Sequence, residues 1–292
     1  YYRDRALALT LGITPHAMFL QGVAAGADKQ SGGRQMPSHW CSRELHIVST
    51  SSPTGTHYTH AVGCAGAVRL LNPQSDAVTL VASGDGATSE GEFWEAMNIA
   101  CLEKLPVIFL VEDNGYAISV PVDHQTAGGS IAKLVTGFPG LKIIDCDGTD
   151  FVASYAAMKE ANAYCRQGHG PALVHAKTIR PYSHSYSDDE KHYKSEAERE
   201  SESRRDPLVR FPEWLMAEGL IDTRELADVT THADAEIQEA CDSALEAEPP
   251  ALGHSLRFLY SNSVDPTHAS FQSSPRFSGD TPRTMLDEIN LT

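Results

Sequence analysis

The stretch from Val78 to Ser119, VTLVASGDGATSEGEFWEAMNIACLEKLPVIFLVEDNGYAIS, contains two apolar runs separated by a helical pattern. The first run leads into Gly-Asp-Gly and the second into Asp-Asn-Gly. Apolar runs that alternate with helical segments predict βαβ units and a buried parallel sheet. In such a sheet, ligands bind beyond the carboxyl ends of the strands. The stretch therefore predicts an α/β fold with Asp85 and Asn114 at the ligand-binding edge.

The rest of the chain continues this alternation. Two more apolar runs occur at residues 141–144 and 172–174. Helical patterns occur at residues 57–71, 90–102 and about 207–247. Ser89 followed by Glu92 predicts a capping box at the start of the helix over 90–102. The polar stretch 183–206 predicts a loop with a loosely held helical end.

Composition argues against several classes of protein. A chain of 292 residues, 41% hydrophobic, can bury a sizeable core. The formal net charge of −16 disfavours nucleic acid and anionic membranes as partners. No apolar run reaches the length of about 18 residues that a membrane-spanning helix needs. The 6 cysteines contain no CxxC pair, which argues against a disulfide scaffold or zinc site and favours a reducing compartment.

The residues that follow the two apolar runs suit a hard cation. Mg²⁺ prefers oxygen ligands and often keeps phosphate oxygens in its shell, so the Asp85 carboxylate and the Asn114 amide are suitable protein ligands. Gly84 and Gly86 allow the backbone to approach a diphosphate. Either triplet alone is more often a simple tight turn. The pair, on neighbouring strands of a βαβ unit, favours the cation site.

Five segments together give a resemblance to a known family. They are SGGRQMPSHW (31–40), SSPTGT (51–56), GDGATSEGEFWEAMNIA (84–100), DNGYAISVPV (113–122) and SHSYSDD (183–189). Over residues 1 to about 250 the chain resembles the α subunit of thiamine-diphosphate-dependent 2-oxo acid dehydrogenases, and within that family the branched-chain (2-oxoisovalerate) members. The resemblance implies the thiamine-diphosphate-binding fold, a parallel sheet flanked by helices. It also implies oxidative decarboxylation of a 2-oxo acid, with acyl transfer to a lipoyl group.

The resemblance assigns roles to residues of this chain. It implies that Asp85, Asn114 and the backbone oxygen of Tyr116 hold magnesium. It implies that His184, on a mobile loop, is the catalytic residue facing the reacting carbon. All four would also contact thiamine diphosphate, together with Tyr2, Arg3, Ser52, Thr54, Gly84, Gly86, Ala87 and Ile118.

The chain departs from the family's pattern at two positions near the expected site. Where many relatives have Arg-Asn-Asn-Gly, this chain has Glu112 and Asp113 before Asn-Gly, so phosphate binding is expected to depend more on Arg3. Some relatives hold a potassium ion with a glutamine at the position of His57. The glutamine ligand of that potassium site is therefore replaced by a histidine here.

The resemblance also implies partners and a domain order. A β-subunit-like half, fused or separate, would supply the acidic residue that activates the aminopyrimidine, giving a heterotetramer or a fused dimer. A lipoyl-bearing acyltransferase would take the acyl group. Because TPRTMLDEINLT (281–292) resembles the opening of a β subunit, we expect a cofactor domain over 1–250, a linker over 251–282 and the start of a β-like domain over 283–292.

Several alternatives stay open at this stage. The same cofactor fold serves pyruvate- and acetoin-type dehydrogenases, and a non-catalytic assembly subunit could keep the fold without turnover. The choice among 2-oxo acids also stays open, because residues of the β-subunit-like half would line part of the substrate pocket. The expected location is the cytoplasm in a bacterium, or the mitochondrial matrix in a eukaryote, where such enzymes take part in branched-chain amino acid degradation.

Overall fold

The computed structural model describes residues 1–49, 51–257, 259, 261, 263–265, 267–272 and 284. The chain divides into two compact units, Tyr1–Pro249 and Pro250–Thr292. The described part of the second unit contains two 3₁₀ turns, His254–Leu256 and Ala269–Phe271. The expected start of a β-like domain at 283–292 lies outside the described residues, apart from Thr284, and stays a prediction.

The first unit is built on a parallel sheet. The strands are β1 Thr79–Gly84, β2 Val107–Asp113, β3 Tyr116–Ala117, β4 Val120–Pro121, β5 Lys142–Asp147 and β6 Ala172–Lys177. Four of them form one sheet in the spatial order β1–β2–β6–β5, and every neighbouring pair is parallel. The short strands β3 and β4 pair separately as an antiparallel hairpin. The predicted α/β fold with a parallel sheet is confirmed.

Helices surround this sheet. They are α1 Arg5–Leu11, α2 Pro15–Gly22, α3 Thr56–Leu71, α4 Gly91–Leu102, α5 Val122–Gln125, α6 Ile131–Leu134, α7 Phe151–Arg166, α8 Glu196–Ser203, α9 Pro207–Ala217 and α10 Thr223–Leu245. Short 3₁₀ helices cover Asp85–Ser89, Ala127–Gly129, Val135–Gly137 and Glu190–His192. None of the described helices is long and apolar enough to cross a membrane.

Alternate residues of the central strand β2 supply the two halves of the core. Phe109 and its odd-numbered neighbours pack in one cluster with α3 and α4, where Tyr58, Phe93 and Met97 are fully buried. Ile108 packs in a second cluster with the small residues of α7. Because side chains alternate across a strand, a strand buried on both faces reads as one continuous apolar run. The run after Pro106 fits this pattern of a buried strand.

The predicted capping box at Ser89 is wrong. Ser89 is the last residue of the 3₁₀ helix that follows β1, and the N-cap of α4 is Glu90, which makes no side-chain capping bond. The 3₁₀ turn is held instead by Thr88, whose hydroxyl donates to the Asp85 carbonyl at 2.7 Å. The strand therefore leads into a tight turn before the α-helix begins, and this turn shifts the cap by one residue.

Candidate functional site

Asp85 and Asn114 come together at the carboxyl edge of the sheet. The register places Gly84 of β1 beside Glu112 of β2, so the residues that follow each strand are neighbours. The Asn114 N–H donates to Asp85 Oδ1 at 3.3 Å. The pairing expected from the two strand ends is therefore present in the fold.

Each of these two side chains has one buried oxygen that accepts no hydrogen bond from the described residues. These atoms are Asp85 Oδ2 and Asn114 Oδ1. Leaving such oxygens unpaired costs free energy. Burial, with a further contribution from the nearby Asp113 carboxylate, raises the pKa of Asp85 to about 6. A cation held by both oxygens would remove both penalties, so this donor set fits a hard divalent ion.

Gly86 makes a close approach of two backbone segments possible. A Cβ built on it would lie 2.9 Å from the Cβ of Ala117, in the hairpin after β2. The same turn is held by Gln125, whose Nε2 donates to the Asp85 carbonyl at 2.8 Å. Gly86 and the buried Ala87 thus belong to a closely packed turn directly after Asp85.

A cavity of about 280 Å³ opens beside this edge. Its lining includes two guanidinium groups, Arg3 and Arg180, together with Asn114. Arg180 is 4% exposed, and its Nη2 donates to the Tyr193 hydroxyl at 2.6 Å. Its Nε and Nη1 atoms have no hydrogen-bond partner among the described residues. Arg180 therefore offers spare donors and a positive charge, which suits phosphate oxygens.

The sequence analysis missed Arg180. The residue lies between an apolar strand and a polar loop, and nothing in its immediate sequence distinguishes it from a surface arginine. The available signal was its position four residues before His184. The fold, rather than the motif, buries it against the aromatic ring of Tyr116, with the guanidinium carbon 5.7 Å from the ring centre.

His184 lies against the N-terminal segment. Arg3 Nη2 is 3.4 Å from His184 Nδ1 and donates to the His184 carbonyl at 3.2 Å. The ring of Tyr2 contacts the ring of His184 edge-on, with centroids 6.4 Å apart. Burial, then the charges of Arg3 and Arg180, lower the pKa of His184 below its ordinary value. The imidazole is therefore neutral near neutral pH and can accept or share a proton.

The remaining expected residues lie on the surrounding loops. Ser52 and Thr54 are exposed, and Ser52 Oγ is 3.1 Å from His39 Nε2. Ile118 is exposed in the turn between β3 and β4, with a φ of 57° that is strained for a β-branched residue. Among the described residues, none of these three hydrogen-bonds to Asp85 or Asn114. The Tyr116 hydroxyl donates to Glu198 of α8 at 2.7 Å.

The structure shows the surroundings of Glu112 and His57, where the chain departs from the family's pattern. Burial and the neighbouring Asp4 carboxylate raise the pKa of Glu112 to about 9, so its carboxyl is neutral near neutral pH and adds no negative charge to the cavity. His57 Nε2 is 2.9 Å from the Ala82 carbonyl, and its ring stacks on Tyr58. The Thr56 hydroxyl donates to the Pro53 carbonyl at 3.0 Å. His57 is therefore engaged with strand β1.

Comparison with known proteins places this chain in a family. The model of the family described as "Dehydrogenase E1 component" matches residues 1–252. The chain is 37% identical over 260 residues to the 2-oxoisovalerate dehydrogenase subunit alpha of Bacillus subtilis, a match that covers 89% of this chain and 78% of the relative. It is 38% identical over 248 residues to the 3-methyl-2-oxobutanoate dehydrogenase subunit alpha of Mycobacterium tuberculosis, covering 84% and 64%.

More distant similarity extends to a second type of dehydrogenase. The chain is 30% identical over 261 residues to the pyruvate dehydrogenase E1 component subunit alpha of Mycoplasma genitalium, covering 89% of this chain and 69% of the relative. These matches confirm the resemblance drawn from the five sequence segments. Because the family model covers most of the chain, the protein belongs to the dehydrogenase E1 component family, and this membership implies thiamine diphosphate as its cofactor.

Proposed function

We propose that this chain is the α part of a decarboxylating 2-oxo acid dehydrogenase that acts on a branched-chain substrate and passes the acyl group to a lipoyl arm. Support for the substrate class comes from the two relatives at 37% and 38% identity, both of which are named for branched-chain 2-oxo acids. The chain spans 64% of the Mycobacterium relative, so further residues contribute to the whole enzyme there.

One observation carries the cofactor part of this proposal. Asp85 Oδ2 and Asn114 Oδ1 are buried and lack partners among the described residues, and the backbone N–H of Asn114 donates to the other carboxylate oxygen of Asp85. We propose that they hold Mg²⁺, with the backbone oxygen of Tyr116 as a third ligand. The metal would bind the diphosphate group, since magnesium usually keeps phosphate oxygens in its shell.

The residues around this pair have complementary tasks. Arg3 and Arg180 face the cavity with guanidinium groups, which would neutralise the diphosphate. Gly86 and Ala87 would offer backbone N–H groups to it. His184, neutral near neutral pH, would orient the 2-oxo acid and hold or move a proton at the reacting centre. Thiamine diphosphate, when bound, supplies the electron sink that decarboxylation requires.

The proposed partners follow from the same assignment. A β-subunit-like half would complete the site by supplying the acidic residue that activates the aminopyrimidine. A lipoyl-bearing acyltransferase would receive the acyl group. The relatives of Arabidopsis thaliana and Caenorhabditis elegans are named as mitochondrial. For this chain we propose the matrix in a eukaryotic source and the cytoplasm in a bacterial one.

Turnover by the full-length, assembled enzyme tests the function. We expect reduction of an artificial electron acceptor with 3-methyl-2-oxobutanoate as substrate, dependent on thiamine diphosphate and Mg²⁺. Faster turnover of pyruvate would favour the pyruvate-type alternative, for which the Mycoplasma relative is the precedent. Tight cofactor binding without turnover of any 2-oxo acid would favour a non-catalytic assembly subunit.

A further inference from the structure

A buried histidine connects the sheet to the turn that carries Asn114. His175 lies in β6, between β2 and β5, and its side chain is 1% exposed. Its Nε2 is 2.7 Å from Asp113 Oδ2, and its Nδ1 is 2.6 Å from Asp145 Oδ1. The side chain of Asp145 is 56% exposed, whereas that of Asp113 is only 10% exposed. The imidazole thus bridges a solvent-facing carboxylate and an enclosed one.

The geometry determines the protonation state of this ring. An ionised carboxylate only accepts hydrogen bonds, and a neutral imidazole carries a single N–H. Two carboxylate contacts of hydrogen-bond length therefore require an N–H on both ring nitrogens, which makes His175 an imidazolium. Burial alone would lower the pKa of His175, but the two carboxylates outweigh burial and raise it above the ordinary value.

Asp113 transmits this contact to the turn that follows β2. Its second oxygen, Oδ1, accepts the Gly115 N–H at 2.8 Å, across Asn114. The Asn114 N–H donates in turn to Asp85 Oδ1. One oxygen of Asp113 is therefore bound to the imidazolium and the other to the turn, so the position of the turn depends on the histidine.

We propose that His175, held by Asp145, is a positioning residue that orients the Asp113–Gly115 turn for metal binding. The proposal rests on the proposed function of Asp85 and Asn114 as magnesium ligands. Among the described residues the Asp145 side chain hydrogen-bonds to His175 and to neither ligand. An effect of Asp145 on metal affinity must therefore pass through the imidazolium.

The test is Mg²⁺ titration by calorimetry of the full-length assembled enzyme at a fixed, saturating concentration of thiamine diphosphate. Asp145→Ala should weaken Mg²⁺ binding about tenfold, the lower end of the effect of losing an outer-shell partner. Asp145→Glu keeps the carboxylate at an exposed position and should restore binding. His175→Gln, a neutral side chain, should weaken it at least as much as Asp145→Ala. Faster amide exchange at Gly115 should accompany each loss.

Two controls separate the possible failures. Glu160→Ala removes a surface carboxylate that pairs with Lys142 of the same strand as Asp145, and should leave Mg²⁺ affinity unchanged. Asp85→Ala should abolish the Mg²⁺ response. If it does not, the proposed metal site is wrong and the positioning role is wrong with it.

If Asp85→Ala abolishes Mg²⁺ binding, the Mg²⁺ affinities of the two Asp145 variants are sufficient to test the positioning role of His175. This test does not depend on whether His175→Gln folds. Wild-type affinity in Asp145→Ala would overturn the positioning role and leave the metal site standing. Equal losses in Asp145→Ala and Asp145→Glu, or a matching loss in Glu160→Ala, would overturn it too.

Discussion

The Asn114 N–H donates to Asp85 Oδ1 across the carboxyl ends of two neighbouring parallel strands, at 3.3 Å. The bond leaves Asp85 Oδ2 and Asn114 Oδ1 buried without partners among the described residues. In the proposed octahedral magnesium site these two oxygens would take two of the six positions, and the backbone oxygen of Tyr116 would take a third. Phosphate oxygens would complete the shell.

Replacing Asp85 should remove metal-dependent cofactor binding. Asp85→Ala deletes the only charged ligand of the proposed site, so Mg²⁺ affinity should fall by more than about 100-fold, beyond the usual effect of outer-shell changes. Calorimetry of thiamine diphosphate binding, with and without Mg²⁺, measures this loss. Asp76→Ala is the control, because the Asp76 side chain is 80% exposed. Unchanged affinity in Asp85→Ala would show that the metal lies elsewhere.

Replacing Gly86 should disturb the same turn by steric means. The added methyl of Gly86→Ala would lie 2.9 Å from the Cβ of Ala117. The backbone must shift to relieve this contact, which typically costs about 1–3 kcal/mol and would move the diphosphate cradle. We expect weaker thiamine diphosphate binding in a fluorescence titration. Gly91→Ala, at the start of α4, meets open space and should bind normally; similar losses in both variants would contradict the steric explanation.

The loop at 183–206 should be held by a buried ion pair. Lys194 Nζ lies 2.6 Å from Glu202 Oε2, and the two side chains are 0% and 12% exposed. Lys194→Met leaves the Glu202 carboxylate uncompensated, which should cost about 3–5 kcal/mol in a buried setting. Urea unfolding and hydrogen exchange over 183–206 should both detect the loss.

A matched lysine in an exposed pair provides the comparison for Lys194. Lys142 pairs with Glu160 on the surface, where both side chains are more than a third exposed. Lys142→Met should therefore cost no more than about 1 kcal/mol. If the two variants lose equal stability, burial does not set the strength of the Lys194 pair.

Cofactor binding should slow exchange in the same loop. His184, within residues 183–206, contacts Arg3, and both groups are proposed to meet the cofactor. Addition of thiamine diphosphate and Mg²⁺ to the assembled enzyme should therefore protect the amides of this segment, which hydrogen exchange with mass spectrometry resolves. Identical exchange with and without the ligands would argue against a role of the loop in gating.

His57 should make stability depend on pH. Burial lowers the pKa of His57 below that of the unfolded chain, so the unfolded state binds the proton more tightly. Stability contributed by the neutral ring is therefore present above the unfolded value and is lost as pH falls from about 7.5 to 5.5. His57→Gln, which can still donate to the Ala82 carbonyl, should lose less stability over this range. Urea unfolding at the two pH values measures the difference.

An exposed histidine on the same helix is the control for this pH effect. His60 lies three residues further along α3 and is exposed. His60→Gln should keep the pH dependence of the wild type, because it leaves the buried ring of His57 and its contact with Ala82 intact. A flatter profile in His60→Gln than in His57→Gln would contradict the assignment to the buried ring.

Local sequence was sufficient to locate the four strands of the main sheet. Continuous apolar runs marked β1, β2, β5 and β6. In the interior strands β2 and β6 the runs reflect burial on both faces of the sheet, which needs apolar side chains at successive positions. Their boundaries were short by up to three residues at the carboxyl ends, where polar residues such as Asp113 and Lys177 continue the ladder. Backbone pairing, which does not depend on side-chain polarity, extends these strands.

The pairing of Asp85 with Asn114 could also be foreseen, because each residue follows the end of a recognisable strand and successive strands of a βαβ unit are neighbours. The N-cap of α4 could not be foreseen. The 3₁₀ turn before this helix depends on hydrogen bonds from Thr88 and Gln125 to the Asp85 carbonyl. Sequence spacing does not report such contacts.

The sequence alone determined the fold class, the family and the strand-end residues, because these depend on local periodicity and on motifs that are contiguous in the chain. Only the tertiary structure decided that β6 lies between β2 and β5, which brings His175 between Asp113 and Asp145. It also buried Arg180 in the cavity wall. Residues so distant in the chain become partners through sheet order, and the physical reason is that charge and hydrogen bonding act through space rather than along the sequence.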